Sequence, residues 1–177
     1  MMEKIILPER KIMRHEGYDY ANCGIYFVTI CTKDSKNFFG KLEPVIDENM
    51  ELITGAYLKR KKAADIAEEA WHKIPEIYPF VEDDCFVIMP DHIHGILIFN
   101  EQDENKKTLS EIISAYKSVT TRQFQKTYNR KDSLWQKNYY DTIIENEKQY
   151  LIKKEYIENN PLMKVINQLE NRYILKE

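Results

Sequence analysis

Apolar and polar positions recur along this chain with two different periods. Residues 24–32, "GIYFVTICT", are aromatic and β-branched and are bounded by Gly24 and the polar run "KDSKN", which predicts a buried strand. "ENMELIT" leads to Gly55 and a helical stretch, "AYLKRKKAADIAEEAWHKIP". There Ala56, Leu58, Ala63, Ile66, Ala67, Ala70 and Ile74 form a rough helical stripe that Pro75 ends. Residues 80–90, "FVEDDCFVIMP", and 92–99, "HIHGILIF", read as two further strands joined by Pro90-Asp91. A polar linker, "NEQDENKK", follows. Thr108 or Ser110 then caps a helix that has Glu111 in its first turn. Its apolar face is Leu109, Ile112, Ile113, Tyr116, Thr120 and Phe124, and it runs to about Tyr128. "NRKDS" is a loop, "LWQKNYYDTIIE" a strand, and "NEKQYLIKKEYIENN" a final helix stopping near Pro161, with a short tail over 162–177.

The predicted order is β-α-β-β-α-β-α, whose first six elements match the α+β, ferredoxin-like (RRM-like) βαββαβ pattern. Nothing divides residues 1–177, so a single domain is expected, with its core over about 17–161. In that topology the strands 24–32 and 92–99 are central. Alternation in the latter puts His92, His94, Ile96 and Ile98 on one face and Ile93, Gly95, Leu97 and Phe99 on the other. Both faces are apolar, so both need cover. The helix after the fourth strand is the candidate for the histidine side.

Composition changes this picture little. The three cysteines, Cys23, Cys31 and Cys85, are odd in number and lack C-x-x-C spacing, which fits reduced thiols and a cytoplasmic protein. No apolar run is long enough for a membrane span. Net charge is −3, yet eight basic residues face only Glu111 and Asp132 between Lys106 and Lys137. Such a stripe is either a solvated helix face or a track for a phosphate backbone.

The His-x-His pair is the first candidate for chemistry. Period two places both imidazoles on one face, and two histidines in a central strand need partners or a ligand to offset desolvation. Gly95 leaves room for a close approach. Two imidazoles leave a metal under-coordinated, so a further ligand has to come from elsewhere. A hydrolytic zinc site wants a third histidine or a carboxylate with a nearby base. His15 and His72 show no spacing toward this pair, and Asp91 points to the opposite face if the strand has begun there. Satisfied core histidines and a metal site both stand on these residues alone.

In "KKEYIENNPL", Tyr156 and Asn160 are four apart and share a helix face with Ile152. The Asn160 amide oxygen is a candidate hard ligand, and Tyr156 a candidate phenol beside the metal. A packed core tyrosine and an ordinary helix end are the bland readings. Proline also pushes the preceding residue out of the α region, which places Asn160 just past the helix.

"VIMPDHIHGILIF", "LSEIISAYKSVTTRQF", "LWQKNYYDTIIENE" and "YIENNP", with the opening "GYDYANCGIYFVTICTKD", together resemble the REP-associated tyrosine transposases. These belong to the single-tyrosine HUH (His-hydrophobic-His) transposase superfamily. The resemblance runs from about Gly17 to Pro161. It implies a ferredoxin-like palm that cuts and rejoins single-stranded DNA, with an added C-terminal helix carrying the nucleophile. By the same resemblance, His92, His94 and Asn160 hold a divalent ion, Mg²⁺ or Mn²⁺, and Tyr156 is the nucleophile. Many relatives outside the REP-associated branch carry glutamine in place of Asn160. The shorter amide leaves direct ligation and a water bridge both open. Relatives often carry arginine near Glu145, so phosphate contacts by that segment are in doubt.

A phenol ionises only near pH ~10, so a bound metal that polarises the phosphate compensates for a poor nucleophile. The implied product is a 5′-phosphotyrosine with a free 3′-hydroxyl, which conserves the phosphodiester and needs no ATP. No Walker loop is present. Tyr139 and Tyr140 are rivals for the nucleophile, although neither has an amide four residues on along a helix. Trp135, Gln136 and Asp141 read as structural or DNA-positioning. Lys117, Arg122 and Lys126 are the candidate phosphate contacts. The expected partner is single-stranded or hairpin DNA of the REP-like palindrome class, bound by a monomer or homodimer. The alternatives are a non-catalytic RRM-like nucleic-acid-binding module and a metal-dependent hydrolase of another substrate.

Overall fold

The computed structural model describes residues 24–48, 53–100 and 107–174. His15, Cys23, Lys106 and the opening block before Gly24 lie outside them. In chain order the elements are β1 (Gly24–Cys31), β2 (Gly40–Ile46), β3 (Ile53–Arg60), α1 (Lys62–His72) and α2 (Ile74–Ile77). They continue with β4 (Val81–Ile88), β5 (His92–Phe99), α3 (Leu109–Tyr128), β6 (Tyr140–Ile144) and α4 (Glu147–Ile174).

The apolar runs β1, β4 and β5 join β6 in one antiparallel sheet of order β4-β5-β1-β6. With α1 and α3 as crossovers, this is the ferredoxin-like arrangement, and β1 and β5 are its central strands as expected. On one face Tyr26, Val28, Ile30, Ile93, Leu97 and Phe99 pack beneath α1 and α3 around the fully buried Trp71 and Trp135. Thr108 caps α3 through a reciprocal capping box with Glu111, and Asn129 ends the helix in a left-handed conformation. On the other face Phe27, Ile96 and Ile144 pack against Ile157 of α4, so the last helix does cover the histidine side.

Three expectations need correction. First, the helical stripe assigned to 56–74 is divided: Ala56 and Leu58 lie in β3, and the helix begins only at Lys62. Residues 40–46, read as no element, form β2, and the β2-β3 hairpin is inserted between β1 and α1. Ala56 and Leu58 suit a period of two as well as one of 3.6, and their burial beneath α4 beside Val165 and Leu169 decides between the two. Pro44 is tolerated because a two-stranded sheet has only edge strands. Gly40 has φ +148, and a Cβ there would lie 2.2 Å from the Lys59 carbonyl oxygen, so only glycine opens β2.

Second, α4 does not stop near Pro161 but runs through it to Ile174. An interior proline cannot donate to the carbonyl four residues back and costs about 3 kcal/mol. Val165, packing with Met89 and Leu42 beneath the hairpin, offsets that loss. Asn160 is therefore inside the helix rather than past its end. Third, the segment after Asn129 pairs only from Tyr140. Trp135 instead makes an isolated bridge with Thr32, and its indole N–H donates to Thr120 Oγ1 at 2.7 Å.

Candidate active site

The two central strands put three polar side chains side by side. Register pairs Thr29 with His94 and Cys31 with His92, so all four residues look toward α4. His94 is 5% exposed, and its Nδ1 is 2.8 Å from Thr29 Oγ1. His92 is half-buried, and its Nδ1 is 2.8 Å from Asp91 Oδ1. Asp91 therefore does not turn away: it precedes the first strand residue, and its carboxylate reaches back to the imidazole. That hydrogen bond is the main cause of an Asp91 carboxyl held below its usual range. With both Nδ1 atoms engaged, each ring keeps Nε2 for another partner.

Burial is the main reason that the His94 imidazole titrates far below its ordinary value, at about 3, with repulsion from His92 and Lys153 adding to it. The ring is accordingly neutral near pH 7 and offers a lone pair. Phe27 stacks on His94 with centroids 5.3 Å apart, and the two imidazoles are 4.7 Å apart edge to face.

The last helix brings the other half. It is fixed at its start by reciprocal contacts, in which Gln149 N–H donates to Asn146 Oδ1 and Glu145 N–H to Gln149 Oε1, both at 3.0 Å. Tyr150 O–H donates to Asp84 Oδ2 at 2.9 Å, and Lys154 lies 3.6 Å from the same carboxylate, tying the helix to β4. Two turns on, the Tyr156 hydroxyl is 3.5 Å from His94 Nε2, with ring centroids 5.2 Å apart. Tyr156 is 49% exposed, so it is not a packed core tyrosine.

His92, Tyr156 and Asn160 line one open cleft of about 640 Å³, along with Glu155, Lys164 and Ile152. Lys153, one turn before Tyr156, holds its ammonium 4.5 Å from the Phe27 ring centroid. Among the described residues no three His, Cys, Asp or Glu side chains cluster as a metal site. The residues that could hold a divalent ion are thus His92, His94 and the Asn160 amide, with water for the open positions.

The remaining candidates fall elsewhere. Lys117 and Arg122 line a groove of about 970 Å³ beside α3, whereas Lys126 is exposed one turn beyond it. Tyr139 lines that groove too, while Tyr140 is exposed at the sheet edge and paired with Thr29 on the histidine face. Gly95 faces the core: its missing Cβ would lie 2.3 Å from a Trp71 ring atom, so the close approach there belongs to an indole. An RRM-type module stacks bases on an open sheet face, but here α4 covers that face. Thr29 and Lys153 have no role in the sequence reading, and Asp91 is set aside there as facing away. Only Lys153, three residues before Tyr156 on one helix face, left a spacing signal.

The profile of the family described as IS200-like transposase matches residues 22–160. This chain belongs to that family. An uncharacterized protein of Haemophilus influenzae is 35% identical to this IS200-like transposase family member over 180 residues, covering 89% of this chain and 91% of its own length. A second Haemophilus influenzae protein, described as a REP-associated tyrosine transposase, is 27% identical over 153 residues, covering 81% and 73%. The solved structure of a REP-associated tyrosine transposase bound to a REP hairpin superposes with a TM-score of 0.53 at 20% identity, covering 86% of this chain and 74% of that one. It shares the fold of the transposase family member described above. Among the described residues, no helix is long and apolar enough to cross a membrane.

Proposed function

We propose that this transposase family member cleaves and rejoins single-stranded DNA carrying a hairpin, through a 5′-phosphotyrosine on Tyr156. The observation that carries this reading is the 3.5 Å approach of the Tyr156 hydroxyl to His94 Nε2 in an open cleft. Tyr156 Oη attacks the scissile phosphorus, and the P–O3′ bond breaks as the Oη–P bond forms. The departing O3′ keeps the electron pair and takes up a proton to become a 3′-hydroxyl, while the phenol proton passes to solvent. Attack by a 3′-hydroxyl on the phosphotyrosine reverses the step and joins strands without ATP.

His92, His94 and Asn160 would hold Mg²⁺ or Mn²⁺. When bound, such an ion supplies Lewis-acid charge at the non-bridging phosphate oxygens. Asp91 and Thr29 engage Nδ1 of the two imidazoles, which leaves each Nε2 for the ion. Lys153, whose ammonium lies over the Phe27 ring one turn before Tyr156, adds positive charge to the site where negative charge gathers during attack. Lys117, Arg122 and Lys126 contact phosphates. The solved relative bound to a REP hairpin supports a hairpin of REP-like palindromic type as the DNA partner. The enzyme acts in the cytoplasm as a monomer or homodimer.

Incubation with hairpin DNA and Mn²⁺ is expected to give a denaturant-resistant protein–DNA adduct that is absent in Tyr156→Phe. An adduct of undiminished yield in Tyr156→Phe overturns the assignment.

A further inference from the structure

The groove beside α3 lies on the opposite face of the sheet from the histidines, and its lining is unlike the rest of the surface. The α3 wall carries Ser110, Ser114, Ser118 and Thr121, spaced four, four and three residues apart along one helix face. Exposed helix faces ordinarily carry long charged side chains. A row of short hydroxyls instead leaves room for a backbone to lie close and offers it hydrogen bonds.

Four cations, Lys33, Lys117, Arg122 and Lys137, rim this row, and none of them is in an ion pair among the described residues. Elsewhere among the described residues, Lys41, Arg60, Lys107, Arg130 and Lys154 are each matched to a carboxylate while Lys59, Lys126 and Lys153 are not, so what sets the four rim cations apart is that they converge on one groove. The acid in the groove, Asp34, is itself 3.5 Å from Lys36. Lys117 is half-buried and donates to the Lys137 carbonyl at 2.8 Å, which ties α3 to the facing segment and fixes a positive charge in the wall. Short hydroxyl donors beneath unmatched positive charge are the chemistry that holds phosphodiester oxygens.

The chain runs from the groove directly into the edge of the histidine face. Tyr139 lines the groove, and the next residue, Tyr140, opens the edge strand β6 with its side on the other face. Tyr140 pairs with Thr29, whose opposite neighbour is His94, so one cross-strand row runs Tyr140–Thr29–His94. Tyr140 is 43% exposed. A strand leaving the groove around this edge meets Tyr140 and then the histidines.

We propose that the groove seats the phosphate backbone of the paired hairpin stem, and that Tyr140 stacks an unpaired base where the strand rounds β6 toward Tyr156. This rests on the reading of the chain as a hairpin-DNA enzyme. The test uses full-length Tyr156→Phe protein without metal and a DNA hairpin with a single-stranded extension, selected on that protein from a randomised pool. Ser118→Glu and Arg122→Glu are each expected to weaken binding by about tenfold or more and to flatten its salt dependence. Lys59→Glu, on the distant hairpin, is expected to change it by less than about threefold. Tyr140→Ala is expected to lose about tenfold, with Tyr140→Phe restoring it. Acetylation of the unsubstituted protein gives a readout free of folding effects: bound hairpin should protect Lys33 and Lys137 but not Lys41.

Groove variants that bind as tightly as their parent, or a bound hairpin that leaves Lys33 and Lys137 fully reactive, overturn the groove. Either outcome leaves adduct formation at Tyr156 standing. Tyr140→Ala binding unchanged overturns the stacking step. If no hairpin is selected and the unsubstituted protein forms no adduct, the functional reading fails and the groove proposal falls with it.

Discussion

The two faces of the central sheet are built from alternate residues of the same strands, yet they do different work. Beneath α1 and α3, Ile93, Gly95 and Leu97 meet Trp71, Tyr116 and Trp135, and the Tyr116 hydroxyl and the Trp135 indole N–H find partners within the protein. The Tyr116 hydroxyl donates to the Ala67 carbonyl at 3.0 Å. Beneath α4, His92, His94 and Ile96 meet a smaller cluster and then an open cleft, where Tyr156 and Asn160 are left partly in water. One face supplies folding free energy, and the other keeps the exposure and polarity that the proposed chemistry requires. The placement of two histidines in a central strand is tolerable because the opposite face is so well packed.

Trp71→Ala should therefore have the largest effect on the core face. Removing a fully buried indole is expected to cost about 3–5 kcal/mol of unfolding free energy, read from urea midpoints. Acid should act next, and through the other face. His94 binds its proton near pH 3 when folded and near its ordinary value when unfolded, so the unfolded chain holds more protons between the two. Its contribution is complete above about pH 6.5 and is lost as pH falls, by up to about 1.4 kcal/mol per pH unit in metal-free protein. Denaturant midpoints across pH 4–7 check this, and His94→Asn should flatten the slope. Gly95→Ala forces a methyl against Trp71 and is expected to cost about 1–3 kcal/mol, although it lies next to a candidate metal ligand. If its main effect were on metal binding instead, the division between faces would be wrong.

Thr29→Val sharpens the contrast further. Stability is expected to change by less than about 1.5 kcal/mol. Mn²⁺ affinity by calorimetry should fall roughly 10-fold to 100-fold, because the orienting partner of His94 Nδ1 is gone.

How much of this was legible beforehand follows from which interactions are local. The β5 alternation, a cap at Thr108 or Ser110 and the four-residue spacing of Tyr156 and Asn160 are written in neighbouring residues and read from them. The pairing of Thr29 with His94 depends on cross-strand register, which no local pattern states. The β2-β3 hairpin and the passage of α4 through Pro161 were missed for one shared reason. Each is stabilised by the other, through Leu42, Ala56, Leu58, Val165 and Leu169, while each alone looks like loop or helix end. The hydroxyl row of α3 lies along one helix face, but only the facing segment 133–139 turns it into a groove.

The smallest expected change in stability accompanies the largest expected change in chemistry. Tyr156→Phe removes one hydroxyl from a half-exposed ring and should alter unfolding free energy by less than about 0.5 kcal/mol. Mass spectrometry of peptides from the protein after reaction with hairpin DNA and Mn²⁺ tests the central claim most directly. A nucleotide remnant joined through phosphate to the Tyr156 side chain, absent in the folded Tyr156→Phe protein, is the predicted result. A remnant on Tyr140 or Tyr139, or cleaved DNA with no protein attached, would contradict it.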